Sequence, residues 1–230
     1  MHNCKMCGRF TITVSASELA ELLGVEKIPE VRPRYNIAPS QPVLAARASN
    51  TGTREAAIFN WGLIPSWATD PKIASALRLA RAETVAQKPS FRSAYKHRRC
   101  IIAADGFFEW TTVGKAKTPH WFHRQDRRPF VFAGLWEHWT PENGDAIETC
   151  CIVTTEANAV VKPYNERMPV ILEGSAIDRW LKPGDIAPEV SATLFKPAPE
   201  SFLIEYEVSS AVNSSRVTGP ECIEPVEKNG

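Results

Sequence analysis

Two of the six cysteines lie close together near the amino terminus, as Cys4 and Cys7 of a Cys-x-x-Cys sequence. Such a pair can bind zinc or exchange disulfides, but no second cysteine or histidine pair follows at zinc-ligand spacing, and no strand-like segment precedes it. The other cysteines are scattered through a chain that is too long to need a disulfide framework. We therefore expect reduced thiols, no metal ion and no cofactor.

A glutamate, Glu109, lies within an aromatic stretch at residues 106–110, GFFEW. Removal from water disfavours an ionised carboxylate, so such surroundings suit a carboxyl group that donates a proton in catalysis. The alternative is a glutamate at a strand end that pairs with an arginine. The residue type and its neighbours leave both interpretations open.

Glu109 belongs to a series of dense sequence patterns that neither strand nor helix periodicity requires. In chain order they are MCGRF (6–10), RYNIAP (34–39), WGLIPSW (61–67), ARAET (80–84), DGFFEW (105–110), GLWE (134–137), RMPVIL (167–172) and VSSAVN (208–213). Together they resemble the SRAP family, the SOS-response-associated peptidases, which include abasic-site sensors of bacteria and eukaryotes. The resemblance covers nearly the whole chain in order, which makes it far more specific than one short motif.

The resemblance implies a sensor of abasic sites in single-stranded DNA, with Cys7 as the nucleophile that captures them. If translation starts at Met6 and this methionine is removed, Cys7 carries an α-amine and a thiol on adjacent carbons. The amine forms an imine with the aldehyde of the abasic sugar, and the thiol closes on the same carbon as a thiazolidine, an intramolecular step. Because the amine must be free, we expect residues 1–5 to be a leader or to result from a start codon assigned too early.

The resemblance also assigns roles to other residues of the matched motifs. Glu109 is the expected partner that handles protons at the reacting sugar. Arginines suit phosphate contacts because a guanidinium group matches phosphate geometry, while an amide or an indole ring can meet the sugar and the base faces beside a lesion. The expected DNA-contacting residues are Arg9, Asn36, Trp67, Arg81 and Arg167.

Two residues depart from the family pattern at positions near the lesion. Leu79 stands where the family has an asparagine, which removes a hydrogen-bond donor. Asn165 replaces a histidine, and an asparagine can hold a hydrogen bond but cannot act as an acid or base near neutral pH. We expect slower or less reversible cross-linking than in a typical family member, or binding without efficient capture. No sequence argument selects a substitute among the histidines at 97, 120, 123 and 138.

Three functions remain open on the sequence. The first is a covalent sensor with little turnover, to which a lyase activity can be added. The second is a peptidase that uses Cys7 and Glu109, at most on its own leader. The third is a non-catalytic module that binds single-stranded DNA. The position of Cys7 alone favours its interpretation as a small buried cysteine. Only the set of motifs favours its interpretation as a nucleophile.

The charge balance shows how any DNA binding must work. The 27 lysines and arginines and the 26 acidic residues leave a formal net charge of +1, so no global field attracts the chain to nucleic acid, and binding must be local. No apolar run reaches about 18 residues, and the amino terminus does not resemble a signal peptide. We expect a cytoplasmic monomer with no membrane partner, associated with the nucleoid when it is bound to DNA.

These residues must be positioned by short elements. The sequence predicts an early helix with a capping box at residues 15–18 and a stop at Gly24, and a second helix at 175–181 with Ser175 and Asp178 at the cap spacing. The predicted strands lie at 43–47, 57–61, 100–104, 121–123, 130–135, 150–155, 170–172 and 202–208. Few helical segments separate them, which favours an α+β fold with an antiparallel, barrel-like core. We expect one domain at residues 6–220 and a loose tail at 221–230.

Overall fold

The computed structural model describes residues 8–49, 52–114 and 116–227. Cys7 and the expected leader therefore lie outside the described residues. The strands in chain order are β1 (Phe10–Ile12), β2 (Arg34–Ile37), β3 (Pro42–Ala48), β4 (Arg54–Trp61), β5 (Leu79–Arg81), β6 (Arg99–Ala104), β7 (Gly106–Val113), β8 (Ala116–His123), β9 (Phe130–Trp139), β10 (Ile147–Glu156), β11 (Arg167–Pro169), β12 (Ile171–Leu172) and β13 (Ile204–Glu207). The α-helices are α1 (Ala16–Leu23), α2 (Arg92–His97), α3 (Ser175–Leu181) and α4 (Pro188–Leu194).

The larger sheet closes on itself. Its strands follow the order β10, β4, β3, β6 and β9, and β9 pairs with β10 again, so that five strands form a ring. Strands β5, β11 and β12 are attached to this ring. All pairings are antiparallel except the short ones of β10 with β4 and β5. The α+β, antiparallel and barrel-like architecture expected from the sequence is confirmed.

The second sheet carries Glu109. Its order is β13, β8, β7, β1 and β2, and all its pairings are antiparallel. Phe10, Phe107 and Phe122 lie opposite one another on three adjacent strands. Their rings belong to the main apolar core that the two sheets share, in which Phe10 meets Phe132 of the ring at 5.7 Å between ring centroids. This packing holds the sheet of Glu109 rigidly against the closed ring.

A close approach between strands explains the glycine that begins β7. A Cβ atom on Gly106 would overlap the indole of Trp121 on β8. The Trp121 indole nitrogen donates to the Thr11 hydroxyl at 3.2 Å, which ties β8 to β1 across this position. Glycine is therefore required at this position, because any side chain would collide with the Trp121 indole.

The early helix forms as predicted. Ser15 and Glu18 make both hydrogen bonds of a capping box, and Gly24 ends α1 in the left-handed conformation with φ of 65°. The second predicted helix is confirmed as α3, but its cap differs. Gly174 is the N-cap and no side-chain cap bond is made, so the Ser175 and Asp178 spacing does not act as a capping box.

The carboxyl-terminal segment packs on the sheet of Glu109 as far as residue 226. Cys222 is buried, and the Val226 amide donates to the Glu207 carbonyl at 3.0 Å. Val208 and Pro225 form an isolated bridge. This differs from the loose tail expected from residue 221. Among the residues that the structure describes, no helix is long and apolar enough to cross a membrane.

Candidate functional site

Glu109 lies inside β7 and not at its end. Its side chain is buried, with a relative exposure of 1 % for the residue. Asn165 donates from Nδ2 to Glu109 Oε2 at 3.1 Å, and the Asn165 Oδ1 atom accepts from the Arg167 amide at 3.1 Å. The amide of Asn165 is thus oriented by the backbone of β11, with its donor end on the carboxylate. The structure thus places Asn165, one of the two departures named in the sequence analysis, in hydrogen-bond contact with Glu109.

Strand β1 brings the start of the described chain to Glu109. Phe10 lies opposite Phe107, and the Phe108 amide donates to the Arg9 carbonyl at 3.0 Å. Continuing the register two residues beyond the Phe10–Phe107 pair sets Gly8 opposite Glu109. The buried carboxylate therefore lies beside the chain segment that immediately follows Cys7, which is itself outside the described residues.

Arg9 and Asn36 form a partly buried polar group on the other face of this sheet, beside Phe108. Arg9 Nη1 donates to Asn36 Oδ1 and to the Val212 carbonyl, both at 2.7 Å. The Asn36 Nδ2 atom donates to the carbonyls of Ser214 and Val217 at 3.0 and 2.7 Å. Burial lowers the pKa of Arg9, which nevertheless remains a cation. The matched motif at residues 208–213 thus supplies a carbonyl that holds Arg9.

The position of Asn36 suggests an indirect role. Its relative exposure is 2 %, and its amide is engaged by Arg9 and by the 212–217 segment. An asparagine that meets a sugar directly must present its amide to solvent. The structure instead gives Asn36 a supporting position, in which it orients the guanidinium of Arg9.

Arg167 and Glu83 form a second polar group on the other side of Asn165. Arg167 makes a bidentate ion pair with Glu83, at 2.6 and 3.0 Å, and donates to the Thr154 carbonyl at 2.6 Å. Burial alone would raise the pKa of Glu83, but the hydrogen bonds and charge of Arg167 outweigh it and the pKa is lowered. Within the described part of the chain, the Arg167 Nε atom is buried without a hydrogen-bond partner. The charge of Arg167 is therefore already shared with a carboxylate.

Strand β5 places Arg81 and Leu79 next to this group. Arg81 lies opposite Thr154 in the parallel pairing with β10, and its charge contributes to lowering the pKa of Glu83. Arg81 is exposed, whereas Leu79 is half-buried and packs against the main core. Leu79 therefore fills an apolar position of β5 in this chain.

The two tryptophans of the matched motif at residues 61–67 have opposite environments. Trp61 is 1 % exposed, and its indole nitrogen donates to the Arg78 carbonyl at 2.9 Å, so it is a core residue. Trp67 is 59 % exposed in the loop that follows β4. The expected stacking residue thus presents its ring to solvent.

The described cysteines are not placed for nucleophilic chemistry. Those at 100, 150, 151 and 222 are free and buried. Burial raises the pKa of all four thiols, to about 11 for Cys222, which suppresses the reactive thiolate. The described residues also contain no group of three or more histidine, cysteine, aspartate or glutamate side chains that could hold a metal ion.

Sequence reasoning named His120 only as one of four histidines, and it did not identify Tyr164 or Glu205, which contact His120. His120 lies opposite Glu109 on β8, its Nδ1 atom is 2.9 Å from Glu205 Oε2, and its ring centroid is 4.5 Å from that of Tyr164. The Tyr164 hydroxyl donates to Glu205 Oε1 at 2.8 Å. Prediction of β7 with its hairpin partner would have paired His120 with Glu109, but nothing local indicates Glu205.

The arrangement combines a buried carboxyl group with arginines on neighbouring elements. Arg167 follows Asn165 by two residues on the side of Glu109, whereas Arg9 extends from the other face of the same sheet. A buried carboxyl group can move a proton to or from a reacting atom, and guanidinium groups can hold phosphates that flank it. These properties suit chemistry on one residue of an anionic polymer.

Comparisons with known proteins identify the family of this chain. The sequence model of the family described as SOS response associated peptidase (SRAP) matches residues 6–215. The chain is 39 % identical to abasic site processing protein YoqW of Bacillus subtilis (strain 168), over 95 % of this chain and 99 % of that protein. It is 32 % identical to abasic site processing protein YedK of Escherichia coli (strain K12), over 96 % of this chain and 100 % of that protein.

A solved structure shows the same fold. The crystal structure of a protein from Bacteroides thetaiotaomicron superimposes with a TM-score of 0.80 at 26 % identity, and the match covers 96 % of this chain and 100 % of that one. The matched motifs, the family model and the architecture are thus consistent along nearly the entire sequence. The chain belongs to the SOS response associated peptidase (SRAP) family.

Proposed function

We propose that this protein recognises abasic sites in single-stranded DNA and links to them covalently through Cys7. Its relatives YoqW and YedK are named abasic site processing proteins, and processing of abasic sites is the activity that they suggest for this chain. The observation that carries the proposal is the position of Glu109: it is buried in β7, and the residue before it, Phe108, is hydrogen-bonded to Arg9, two residues after Cys7. Adjacent Cα atoms are about 3.8 Å apart, so a nucleophile at residue 7 is within reach of this carboxyl group.

The proposed reaction needs the α-amine and the thiol of Cys7. The amine attacks the aldehyde carbon of the opened abasic sugar and forms a carbinolamine. Glu109 donates a proton to the carbinolamine hydroxyl group, which leaves as water, and the proton on the carbinolamine nitrogen passes to solvent, which gives the neutral imine. The thiol sulfur then bonds to the imine carbon while the thiol proton moves to the nitrogen, which closes the thiazolidine ring.

The residues around Glu109 would hold the DNA. Arg9 and Arg81 are proposed to contact phosphates on the two sides of the lesion, with Asn36 keeping Arg9 in place. Arg167 would do so by exchanging Glu83 for a phosphate, since both present oxygen pairs that suit a guanidinium fork. Trp67 would stack on an unpaired base.

The test is the intact mass of the protein after incubation with single-stranded DNA whose uracil has been removed by uracil-DNA glycosylase. Three chains are compared: one that begins at Met6 and loses that methionine, one that keeps residues 1–6, and a Cys7→Ser variant of the first. We expect a heat-stable adduct only from the first. Cys7→Ser keeps the amine and can form an imine that borohydride traps, but it cannot close a thiazolidine.

The other functions would appear as different results. If the chain with a free Cys7 binds the DNA but forms no adduct, covalent capture is rejected and the protein is a binding module. If the chain that keeps residues 1–6 is shortened on incubation without DNA, and Cys7→Ala in that chain prevents the shortening, the leader is removed by self-cleavage.

A further inference from the structure

The side chain of His120 shares one face of the second sheet with Glu109. His120 lies opposite Glu109 in the β7–β8 pairing and opposite Glu207 in the β8–β13 pairing. Directly opposed residues of antiparallel strands point to the same side, with Cβ atoms about 5 Å apart. The imidazole and the carboxyl group are therefore near neighbours, although they are 11 residues apart in the chain.

The partners of His120 determine which ring nitrogen exchanges protons. Burial, with the charge of Glu205, raises the pKa of Tyr164 to about 12, so the Tyr164 hydroxyl stays protonated and donates to Glu205 Oε1. The other oxygen of Glu205 lies 2.9 Å from His120 Nδ1. An ionised carboxylate only accepts hydrogen bonds, so Nδ1 carries a hydrogen and Nε2 is left to gain and lose the second proton.

Two consecutive residues of the loop before β11 contact His120 and Glu109. Tyr164 contacts His120 and Glu205, and the next residue, Asn165, contacts Glu109. The backbone amide of Asn165 donates to the Val161 carbonyl at 3.0 Å. This bond closes a turn that fixes the positions of the Tyr164 and Asn165 side chains. The groups that face His120 are thus the carboxyl groups of Glu109, Glu205 and Glu207 and the hydroxyl of Tyr164.

We propose that His120 is a positioning residue that exchanges protons with Glu109. Asn165, which also contacts Glu109, cannot do so because an amide does not titrate near neutral pH. This inference rests on the function proposed above. When Glu109 gives its proton to the hydroxyl group that leaves the carbinolamine as water, the imidazolium of His120 passes its Nε2 proton to the Glu109 carboxylate. His120 is then neutral, Glu109 is again protonated, and solvent restores the proton on His120.

The first measurement is the rate of adduct formation between pH 5 and 9 for the chain with a free Cys7 and for His120→Gln. Glutamine can still donate to Glu205 but cannot titrate. We expect a rate about tenfold lower near neutral pH, at the modest end of general acid–base effects, and loss of one ionisation from the pH–rate profile. Affinity for undamaged single-stranded DNA should not change. The matched control is His138→Gln, at an exposed position of β9.

A rescue experiment separates proton exchange from a structural role. Because the Asn165 amide is 3.1 Å from the Glu109 carboxylate, a histidine at this position also reaches Glu109. The double variant His120→Gln, Asn165→His should recover most of the lost rate and the missing ionisation. The proposal is overturned if His120→Gln matches the parent, or if it is slower by the same factor at every pH and the second change restores nothing.

The second measurement does not depend on adduct formation. The ring resonances of His120 are followed by NMR as a function of pH in the parent and in Glu109→Gln. Because the proposal has His120 and Glu109 exchange a proton, replacing the carboxyl group by an amide should move the titration midpoint by at least about half a unit. An unchanged midpoint rejects the coupling even if the adduct forms. A moved midpoint without any adduct upholds the coupling and rejects only covalent capture.

Discussion

The Nδ2 atom of Asn165 donates to Oε2 of buried Glu109 at 3.1 Å across 56 residues of sequence, and the Arg167 amide fixes the other end of the Asn165 side chain. This relationship joins β7 to the loop before β11, and it sets the surroundings of the carboxyl group on which the proposed chemistry depends. A substitution at residue 165 should therefore affect stability and reactivity together.

Asn165→Ala should lower the free energy of unfolding by about 1–3 kcal/mol. The substitution removes a donor from a buried carboxyl group, and a polar group that loses its partner in the interior bears the cost of its desolvation. Urea unfolding at neutral pH measures the change. Asn143→Ala, at an exposed loop position, is the matched control and should shift the midpoint little. Equal stability of the two variants would contradict a structural role for the Asn165 amide.

Arg81→Gln should weaken binding of single-stranded DNA without altering the fold, because Arg81 is exposed at the end of β5. Each phosphate contact with a single strand adds about 0.7 to the magnitude of the slope of log affinity against log salt concentration. Loss of one contact should reduce that magnitude by about this amount. Fluorescence anisotropy over a salt series provides the measurement, with Arg179→Gln on the exposed side of α3 as the control. A slope that does not move would exclude a phosphate contact by Arg81.

Glu83→Gln should reduce the loss in the free energy of unfolding that occurs when the pH is lowered from 7 to 3. The pKa of Glu83 is lower in the folded chain than its ordinary value, since the ion pair with Arg167 outweighs burial. The stabilisation from this carboxylate is therefore complete above its ordinary pKa and is lost as the pH falls through the lower folded value. Urea unfolding at pH 7 and at pH 3 should show a smaller loss in Glu83→Gln than in the parent.

The same variant also tests the role of Arg167 in DNA binding. Removal of the competing carboxylate leaves the guanidinium available to phosphate, so Glu83→Gln should bind single-stranded DNA more tightly at neutral pH. Arg167→Gln should weaken binding. If both variants bind as the parent does, Arg167 serves only the packing of β11 against β10.

Trp67→Ala should separate binding from stability. The ring of Trp67 is largely exposed, so its removal should change the free energy of unfolding by less than about 0.5 kcal/mol. Affinity for single-stranded DNA should fall by about 1–3 kcal/mol if a base stacks on the indole. Trp61→Ala gives the opposite pattern in the same motif: it should cost about 3–5 kcal/mol of stability because Trp61 is buried. Unchanged affinity in Trp67→Ala would remove this residue from the DNA-contacting set.

The features that could be predicted from the sequence are those with local causes. The capping box of Ser15 and Glu18 and the left-handed stop at Gly24 involve residues within one helix, and all of them form as expected. Strands that are apolar and rich in β-branched residues were also predicted. In contrast, the sequence does not predict β7 as a strand, because GFFEWTTV does not alternate between apolar and polar residues. Each face of this strand packs against a different core.

The environment of each site residue was decided by tertiary structure. The sequence alone determined an α+β chain with Glu109 in an aromatic stretch and the motifs of the SRAP family, since these depend on residue type and order. The buried position of Asn36, the bond from Asn165 to Glu109 and the place of His120 beside the same carboxyl group each join residues far apart in the chain. Strand pairing and packing create these contacts, and no local pattern encodes which distant side chain will fill the space next to a given carboxylate.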